Sequence, residues 1–281
     1  MPSGLINSAL RRIRYILVLL IVAGLAYSAL YTKQGVHTVF TLLDITDEDN
    51  PGDITPDDPP VEFSANLEVV RTVPLPGNVL QPSGISWSAD GSSLLIATDQ
   101  AELFSLDGLT FEQSSEVKVK NAPLLFRQGQ IETVAYVDGY ALLAGGYDEI
   151  DVWYNSGSGW ARTASISLTQ PAMSLEGDVT AIASDPETGR LYLADESTSL
   201  HVLDRFGAFQ QRVEITTEDR PGRLLSEMEL VGMEFVDGML VGVAEYFNTV
   251  LLIDPVSGAI TEAFRLESIS KPSGIAMNGS E

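Results

Sequence analysis

Acidic residues that follow apolar segments are the part of this sequence whose type and spacing suggest chemistry. Asp99, Asp148, Glu196 and Glu245 each come directly or shortly after a segment rich in Leu, Val and Ala, and Asp195 stands beside one of them. If these positions are equivalent turns on one face of a fold, their carboxylates form a ring that attracts cations. The alternative is that an acidic protein fills its solvated turns with Asp and Glu.

The overall charge narrows the class of partner. The 281 residues include 16 Lys and Arg against 39 Asp and Glu, which gives a formal net charge of -23. An acidic surface is repelled by phosphates, so nucleic acid and anionic lipid headgroups are excluded as main partners. Cations, basic proteins and neutral small ligands fit better. Cysteine is absent, which excludes disulfides, thiolate zinc sites and cysteine nucleophiles.

Catalysis by a histidine has few candidates in this chain. The two histidines are His37 and His201. A Ser-His-Asp triad would have to use His201, which lies in the apolar pattern SLHVLD. We expect a histidine in such a pattern to be a packed or surface residue. Catalysis by a pair of carboxylates, as in glycosidases, remains an alternative, but no spacing in the sequence indicates which two residues would form the pair.

The N-terminus has the composition of a membrane anchor. An uncharged run covers residues 15–31 and is preceded by three arginines, Arg11, Arg12 and Arg14. This length is close to what a helix needs to cross a bilayer, and the basic flank is typical of the cytoplasmic side. We therefore predict a cytoplasmic tail at 1–14 and a transmembrane helix or signal anchor at 15–31. The alternative is a signal peptide that is cleaved before Ala29.

Residues 32–62 differ in composition from the segments on either side. Between Asp44 and Glu62 the sequence is rich in Asp, Glu and Pro. Such a segment buries too little apolar surface to fold alone, which predicts an extended linker between the membrane and a folded domain at 63–281.

Internal repeats beyond Phe63 predict the fold class. Four copies open at Ser83, Glu132, Thr180 and Val231. Each contains four short apolar or alternating segments, and the period of roughly fifty residues is typical of four-stranded propeller blades. In three copies the first hairpin turn is Asp-Gly, which favours tight turns. We predict an all-β propeller, with a Greek-key sandwich or jelly roll as the alternative.

The two ends of the folded part suggest how the ring closes. Asn66–Leu75 has the pattern of a lone outer strand, and Pro272–Asn278 that of a lone inner strand. We predict about five blades, with an incomplete last blade that both termini close in one sheet.

The strand openings PSGISW, IETVAYV, LVGMEFV and PSGIAM, with the hairpin GRLYLADESTSLHVLDRFG, resemble the SdiA-regulated family of bacterial β-propellers. The resemblance covers about Asn66 to Met277. It implies a single-pass protein of the bacterial cytoplasmic (inner) membrane, with its N-terminus inside and its propeller in the periplasm or at the cell surface. It also implies a link to calcium and a distant likeness to phytase-type and other hydrolytic propellers.

The resemblance also implies where a metal would bind. In the family the first residue of the opening triplet is often Glu and faces the central channel. Here those positions are Ser83, Glu132, Thr180, Val231 and Ser273, so Glu132 is the one carboxylate among them. Asp178 and Glu229 lie two residues before Thr180 and Val231, and they share the face of those residues if the strand alternation extends that far. The candidate calcium ligands are therefore Glu132, Asp178, Glu229, Glu196 and Glu245; the alternative is a polar, water-filled channel.

Together these observations predict a membrane-anchored, extracytoplasmic propeller that acts as a binding or interaction module. Its partner would be a small ligand, a cation such as calcium, or an envelope protein. The alternative function is a calcium-dependent hydrolase of the phytase or lactonase kind.

Overall fold

Four antiparallel sheets, each formed by consecutive segments of the chain, make up most of the structure, which is a computed structural model. It describes residues 16–17, 37–44, 61–69, 71–88, 90–118, 131–146, 148–157, 159–197, 199–217, 229–267, 269 and 271–280. Within these ranges the regular elements are strands, apart from a short 3-10 turn at Tyr246–Asn248. The strands are numbered along the chain.

Each sheet is a blade whose four strands pair in sequence order. The first blade consists of β5 (Pro82–Trp87), β6 (Ser93–Thr98), β7 (Glu102–Asp107) and β8 (Gln113–Lys118). The second consists of β9 (Thr133–Val137), β10 (Tyr140–Ala144), β11 (Glu149–Asn155) and β12 (Trp160–Ser167). The third consists of β13 (Val179–Ser184), β14 (Leu191–Asp195), β15 (Ser199–Leu203) and β16 (Phe209–Glu214). The fourth consists of β18 (Leu230–Val236), β19 (Met239–Ala244), β20 (Thr249–Ile253) and β21 (Ala259–Leu266). The predicted all-β propeller, with four complete blades, is confirmed.

A two-stranded sheet occupies a fifth position beside these blades. It pairs β2 (His37–Asp44) with β22 (Pro272–Ser280) in antiparallel register. β22 packs against β18 on one side and β5 on the other, while β5, β9, β13 and β18 contact one another in that order. The five first strands therefore form a closed ring.

Close packing of the inner strands explains the small second residue of each opening triplet. A Cβ at Gly84 would lie 2.7 Å from the backbone nitrogen of Val134, and one at Gly232 would lie 2.7 Å from that of Ile275. These distances are too short for a side chain, so glycine permits the approach of neighbouring inner strands.

Apolar side chains fill the space between successive sheets. Leu95 and Leu143 share a cluster between the first two blades. Further clusters lie between the second and third blades, the third and fourth, the fourth and β22, and β22 and the first. Each of the five boundaries of the ring thus has a buried layer, which is the usual source of stability for packed sheets.

The closing strands differ from the prediction. The segment that was expected to join the last sheet contributes β3 (Ala65–Leu67), which pairs in parallel with β21 of the fourth blade. Leu67 is buried there with Phe264 and Ile275, so its side chain fills the layer between the fourth blade and β22. A short strand, β17 (Thr216–Thr217), also pairs in parallel with β21.

Two of the three predicted Asp-Gly hairpin turns are confirmed by their backbone angles, whereas Asp90 and Gly91 lie in a longer connection between Trp87 and Ser93. Asp138 and Gly139 have φ values of 48° and 85°, and Asp237 and Gly238 have φ values of 49° and 84°. Both residues of each pair adopt the left-handed conformation that two-residue hairpins require.

Most residues before Val61 lie outside the described ranges, and so does most of the predicted anchor at 15–31. The exceptions are β1 (Ile16–Leu17), which pairs with β4 (Arg71–Thr72), and β2, which lies inside the predicted linker. Among the described residues, none of the helical segments has the length and apolar character needed to span a bilayer.

Candidate functional site

Strand register brings the acidic positions of the sequence to one end of the ring, called the mouth below. In each blade the first strand starts where the second strand ends: Pro82 pairs with Thr98, Val179 with Asp195, and Leu230 with Ala244. Residues just before the first strand and just after the second therefore meet at the mouth. The opposite end carries the first hairpin turns.

A one-residue bulge follows the start of four inner strands. The register shifts leave Ser83, Thr180, Val231 and Ser273 without a directly paired residue. Glu132 holds the same place in the second blade, where its N–H donates to the Ala144 carbonyl at 2.9 Å, just outside the ladder. Bulges redirect side chains and are frequent beside functional sites.

These side chains surround a cavity of about 290 Å³ at the mouth. All five predicted channel positions line it. Its full lining is Ser83, Asp99, Glu132, Thr180, Glu229, Val231, Glu245, Lys271, Pro272 and Ser273. The cavity therefore contains four carboxylates, three hydroxyls, one ammonium and a small apolar wall.

The electrostatics of the mouth are strongest at Glu132. Burial, followed by the negative charges of Asp99, Asp178, Glu229 and Glu196, raises the pKa of Glu132 to about 7. Burial disfavours the charged carboxylate, and its acidic neighbours add repulsion. Glu132 therefore changes its protonation state near neutral pH.

Two other mouth carboxylates share this environment. Burial raises the pKa of Glu229, with further contributions from Glu245 and Glu196. Burial also raises the pKa of Asp99, an effect that the Ser83 hydroxyl partly offsets. The carboxylates repel one another in a half-buried site, and a bound cation would relieve that repulsion.

Two hydroxyls of the mouth have no hydrogen-bond partner among the residues that the structure describes. Thr180 is only 7% exposed and its Oγ1 is unpaired, as is the Oγ of Ser273. Ser83 differs from them because its hydroxyl donates to the Ile131 carbonyl. Buried polar atoms are usually paired, so these two oxygens are available to a ligand.

The predicted metal ligands lie around one mouth but do not converge. Glu132, Glu229 and Glu245 line the cavity, whereas Asp178 and Glu196 act on it through their charge. Asp148, the remaining turn candidate, is not part of the lining. Within the part of the chain that the structure describes, no three acidic or histidine side chains are placed to hold a metal ion.

His201 lies away from solvent, in β15. Its side chain is fully buried, and its Nε2 lies 2.9 Å from Oδ2 of Asp195, which is also fully buried. Burial alone would raise the pKa of Asp195, but hydrogen bonds from His201, Ser197 and the Glu176 amide outweigh it and lower that pKa. The pair is part of the packed interior of the third blade, as expected for a histidine in an apolar strand.

Lys271 is the residue of the lining that sequence reasoning missed. It precedes Pro-Ser-Gly-Ile at the start of β22, as Gln81 does at the start of β5, and the two share a positive φ of 55° and 50°. Its N–H donates to Oδ1 of Asn248 at 3.2 Å. The repeated PSGI motif was the signal that could have placed Lys271 at the mouth.

Comparison with solved structures finds other β-propellers. Glutaminyl cyclase from Myxococcus xanthus aligns with a TM-score of 0.54 and 16% identity, covering 71% of this chain and 85% of that one. The Pan2 WD40 domain from Neurospora crassa aligns with a TM-score of 0.43 and 15% identity over 66% of this chain and 50% of that one. The WD40 repeats of RRP9 align with a TM-score of 0.46 and 11% identity over 64% and 50%. The first of these likenesses shows the fold alone.

No protein-family model matches the chain, and no curated protein matches it at a significant level. The resemblance to the SdiA-regulated family therefore stays a prediction.

Proposed function

We propose that this protein is a membrane-anchored, extracytoplasmic propeller that acts as a binding module and takes a positively charged ligand at its mouth. The observation that carries the proposal is the raised pKa of Glu132, about 7, inside a cavity lined by four carboxylates. Repulsion among these groups disfavours the empty, ionised site. A cation removes that repulsion, so part of its binding energy comes from the site itself.

The geometry favours binding over catalysis at this mouth. The cavity is lined by the starts of inner strands, which are rigid elements, and its carboxylates come from several blades around the space. Carboxylates arranged in this way attract a positively charged ligand through their combined negative electrostatic potential. The alternative of a calcium-dependent hydrolase stays a prediction from the resemblance.

Calcium is the cation that the resemblance implies. Calcium takes six to eight oxygen ligands, but the carboxylates described here do not converge on one point. Several carboxylates of the mouth would therefore have to rearrange to bind it. We keep calcium as one candidate ligand of the mouth, to be tested directly.

The test is a calcium titration of the full chain in detergent by calorimetry and thermal melting. The variants are Glu132→Gln and Glu196→Gln, with Glu214→Gln on the outer strand β16 as the matched control. Specific binding at the mouth is expected to raise the melting temperature and to be lost in the first two variants alone. Binding that all three variants retain equally would show diffuse attraction to an acidic surface and contradict a site at the mouth.

Membrane anchoring and export are separate parts of the proposal and rest on the uncharged run at 15–31 and the basic residues before it. Cell fractionation of a bacterium that expresses the full chain tests them. We expect the protein in the alkali-resistant membrane fraction, with its propeller digested by protease added to spheroplasts. Release by alkali, or resistance of the propeller to that protease, would contradict this part of the proposal.

A further inference from the structure

The cavity at the mouth is larger and more varied than a metal ion requires. Its volume of about 290 Å³ corresponds to roughly ten water molecules at about 30 Å³ each. A metal ion uses oxygen ligands, to which the apolar side chains of Val231 and Pro272 contribute nothing. These two residues belong to neighbouring inner strands, so they form one apolar part of the wall. A ligand with carbon atoms would use that wall.

The unpaired hydroxyls indicate a ligand that donates hydrogen bonds. Thr180 Oγ1 and Ser273 Oγ are buried at the mouth without partners in the described part of the chain, and both are placed there by strand bulges. A hydroxyl oxygen accepts hydrogen bonds from N–H groups, and a primary ammonium has three N–H groups to donate. The carboxylate of Glu132 supplies the opposite charge from the start of β9, which neighbours the strand of Thr180, while Ser273 lies on β22, two strands further round the ring.

The four charged groups that act on Glu132 come from several blades, and all four are negative. Asp99, Asp178, Glu196 and Glu229 act on it directly, while Glu245 acts on Glu229, and all of these effects favour bound positive charge. Lys271 is the single basic residue among the described residues of the lining.

We infer that the mouth binds a small primary amine, with its ammonium group between Glu132 and the Thr180 and Ser273 hydroxyls and its carbon chain along Val231 and Pro272. This inference rests on the proposed function, because it names the class of cation. The apolar wall favours an amine over a metal ion, because a metal ion has no carbon atoms to place against it. The hydroxyl acceptors favour a primary ammonium over a quaternary ammonium ion, because the quaternary ion has no N–H group to donate.

The experiment titrates the full chain in detergent with butylammonium chloride by calorimetry. Ammonium, tetramethylammonium and calcium chlorides serve as comparison probes at equal ionic strength. Butylammonium is expected to bind at least about tenfold more tightly than ammonium, because burying even two methylene groups has about this effect. It is also expected to exceed tetramethylammonium, which has no N–H group to donate.

Three variants locate the bound amine. Thr180→Val removes the hydroxyl at nearly constant volume and is expected to weaken butylammonium binding about fivefold. Val231→Thr is expected to weaken butylammonium but leave ammonium unchanged, and Glu132→Gln to weaken both by about tenfold or more. Thr163→Val is the matched control, since Thr163 lies on the outer strand β12 and its hydroxyl donates to the Val152 carbonyl. Melting temperatures check that each variant is folded.

The outcomes separate this inference from the proposed function. Binding of calcium that depends on Glu132, with no binding of butylammonium, would overturn the inference and leave the proposed function standing. Failure of every probe to bind would overturn both. Equal affinity for butylammonium and tetramethylammonium, or equal effects of Thr180→Val and Thr163→Val, would also overturn the inference.

Discussion

The two ends of the propeller use carboxylates in opposite ways. At the mouth, burial and acidic neighbours raise the pKa of Glu132 to about 7 and also raise that of Glu229. At the far end, backbone hydrogen bonds lower the pKa of Asp107 and Asp254. A carboxylate that accepts backbone N–H groups stabilises a turn, whereas one that is buried among other carboxylates is destabilised until a cation arrives.

The far-end carboxylates recur in the third hairpin of the blades. Asp107 accepts the N–H groups of Leu109 and Thr110 at 3.0 and 2.8 Å, and Asp254 accepts those of Val256 and Ser257 at 2.9 and 2.7 Å. This is the usual role of aspartate in turns. The acidic composition of the chain therefore combines carboxylates that stabilise turns with carboxylates that are buried beside one another at the mouth, and only their surroundings distinguish them.

Asp195 and Glu196 are neighbours in sequence, but one carboxylate is fully buried and the other is exposed. We expect the largest effect on the free energy of unfolding at Asp195. Asp195→Ala should lower the free energy of unfolding by about 3 kcal/mol or more, because it leaves the fully buried His201 without its partner and removes the acceptor of the Glu176 amide. Glu196→Ala should change it by less than about 0.5 kcal/mol. Urea unfolding of both variants measures the difference, and equal losses would break the distinction between the two carboxylates.

Glu132 should make the stability of the protein depend on pH. The pKa of Glu132 is about 7 in the native state and near its ordinary value of 4.5 in the unfolded chain. Between these values the native state holds a proton that the unfolded state has lost, so stability falls as the pH rises from 4.5 to 7. Glu132→Gln should therefore match the wild type at pH 4 and exceed it at pH 8 by at most about 3 kcal/mol.

Thermal melting of the full chain at the two pH values measures this effect. Glu214→Gln, an exposed residue of an outer strand, is the control and should show no such pH dependence. A stability difference between Glu132→Gln and the wild type that is the same at pH 4 and pH 8 would show that the mouth does not strain Glu132.

Asp204 gives the smallest expected effect on stability among the carboxylates that accept backbone hydrogen bonds. Its Oδ1 accepts the N–H groups of Phe206 and Ala208 at 2.8 and 2.9 Å in an exposed turn of the third blade. Asp204→Ala should cost about 1 kcal/mol and leave cation binding unchanged. Glu245→Ala should do the reverse, with weaker cation binding and little loss of stability. Calorimetry and urea unfolding together check both variants, and loss of cation binding in Asp204→Ala would contradict the division between the two ends.

Local patterns were enough to predict the blades and the positions that face the channel. The Asp-Gly turns act within a few residues, and the repeat places Ser83, Thr180 and Val231 at equivalent points. The partner of β22 was missed because pairing between residues 37–44 and 272–280 joins distant parts of the chain. The apolar letters VFTLL at 39–43 were the available signal inside a segment whose later part is acidic.

The properties of the mouth depend on closure of the ring and could not be predicted from local sequence. Thr180 occupies a predicted channel position, but its unpaired hydroxyl follows from what the neighbouring strands bring beside it. The raised pKa of Glu132 likewise requires carboxylates from four separate segments of the chain. Sequence spacing identifies such residues as candidates, and three-dimensional proximity decides their chemistry.

The most direct test of the mouth as a cation site is the pKa of Glu132 itself, measured by NMR on the full chain with carbon-13-labelled glutamate. The spectrum of Glu132→Gln assigns the signal. Glu132 should titrate near pH 7 without ligand, and saturating butylammonium or calcium should move its pKa down, compared with sodium chloride at the same ionic strength. A pKa in the ordinary range of glutamate that neither cation shifts would contradict the proposed site.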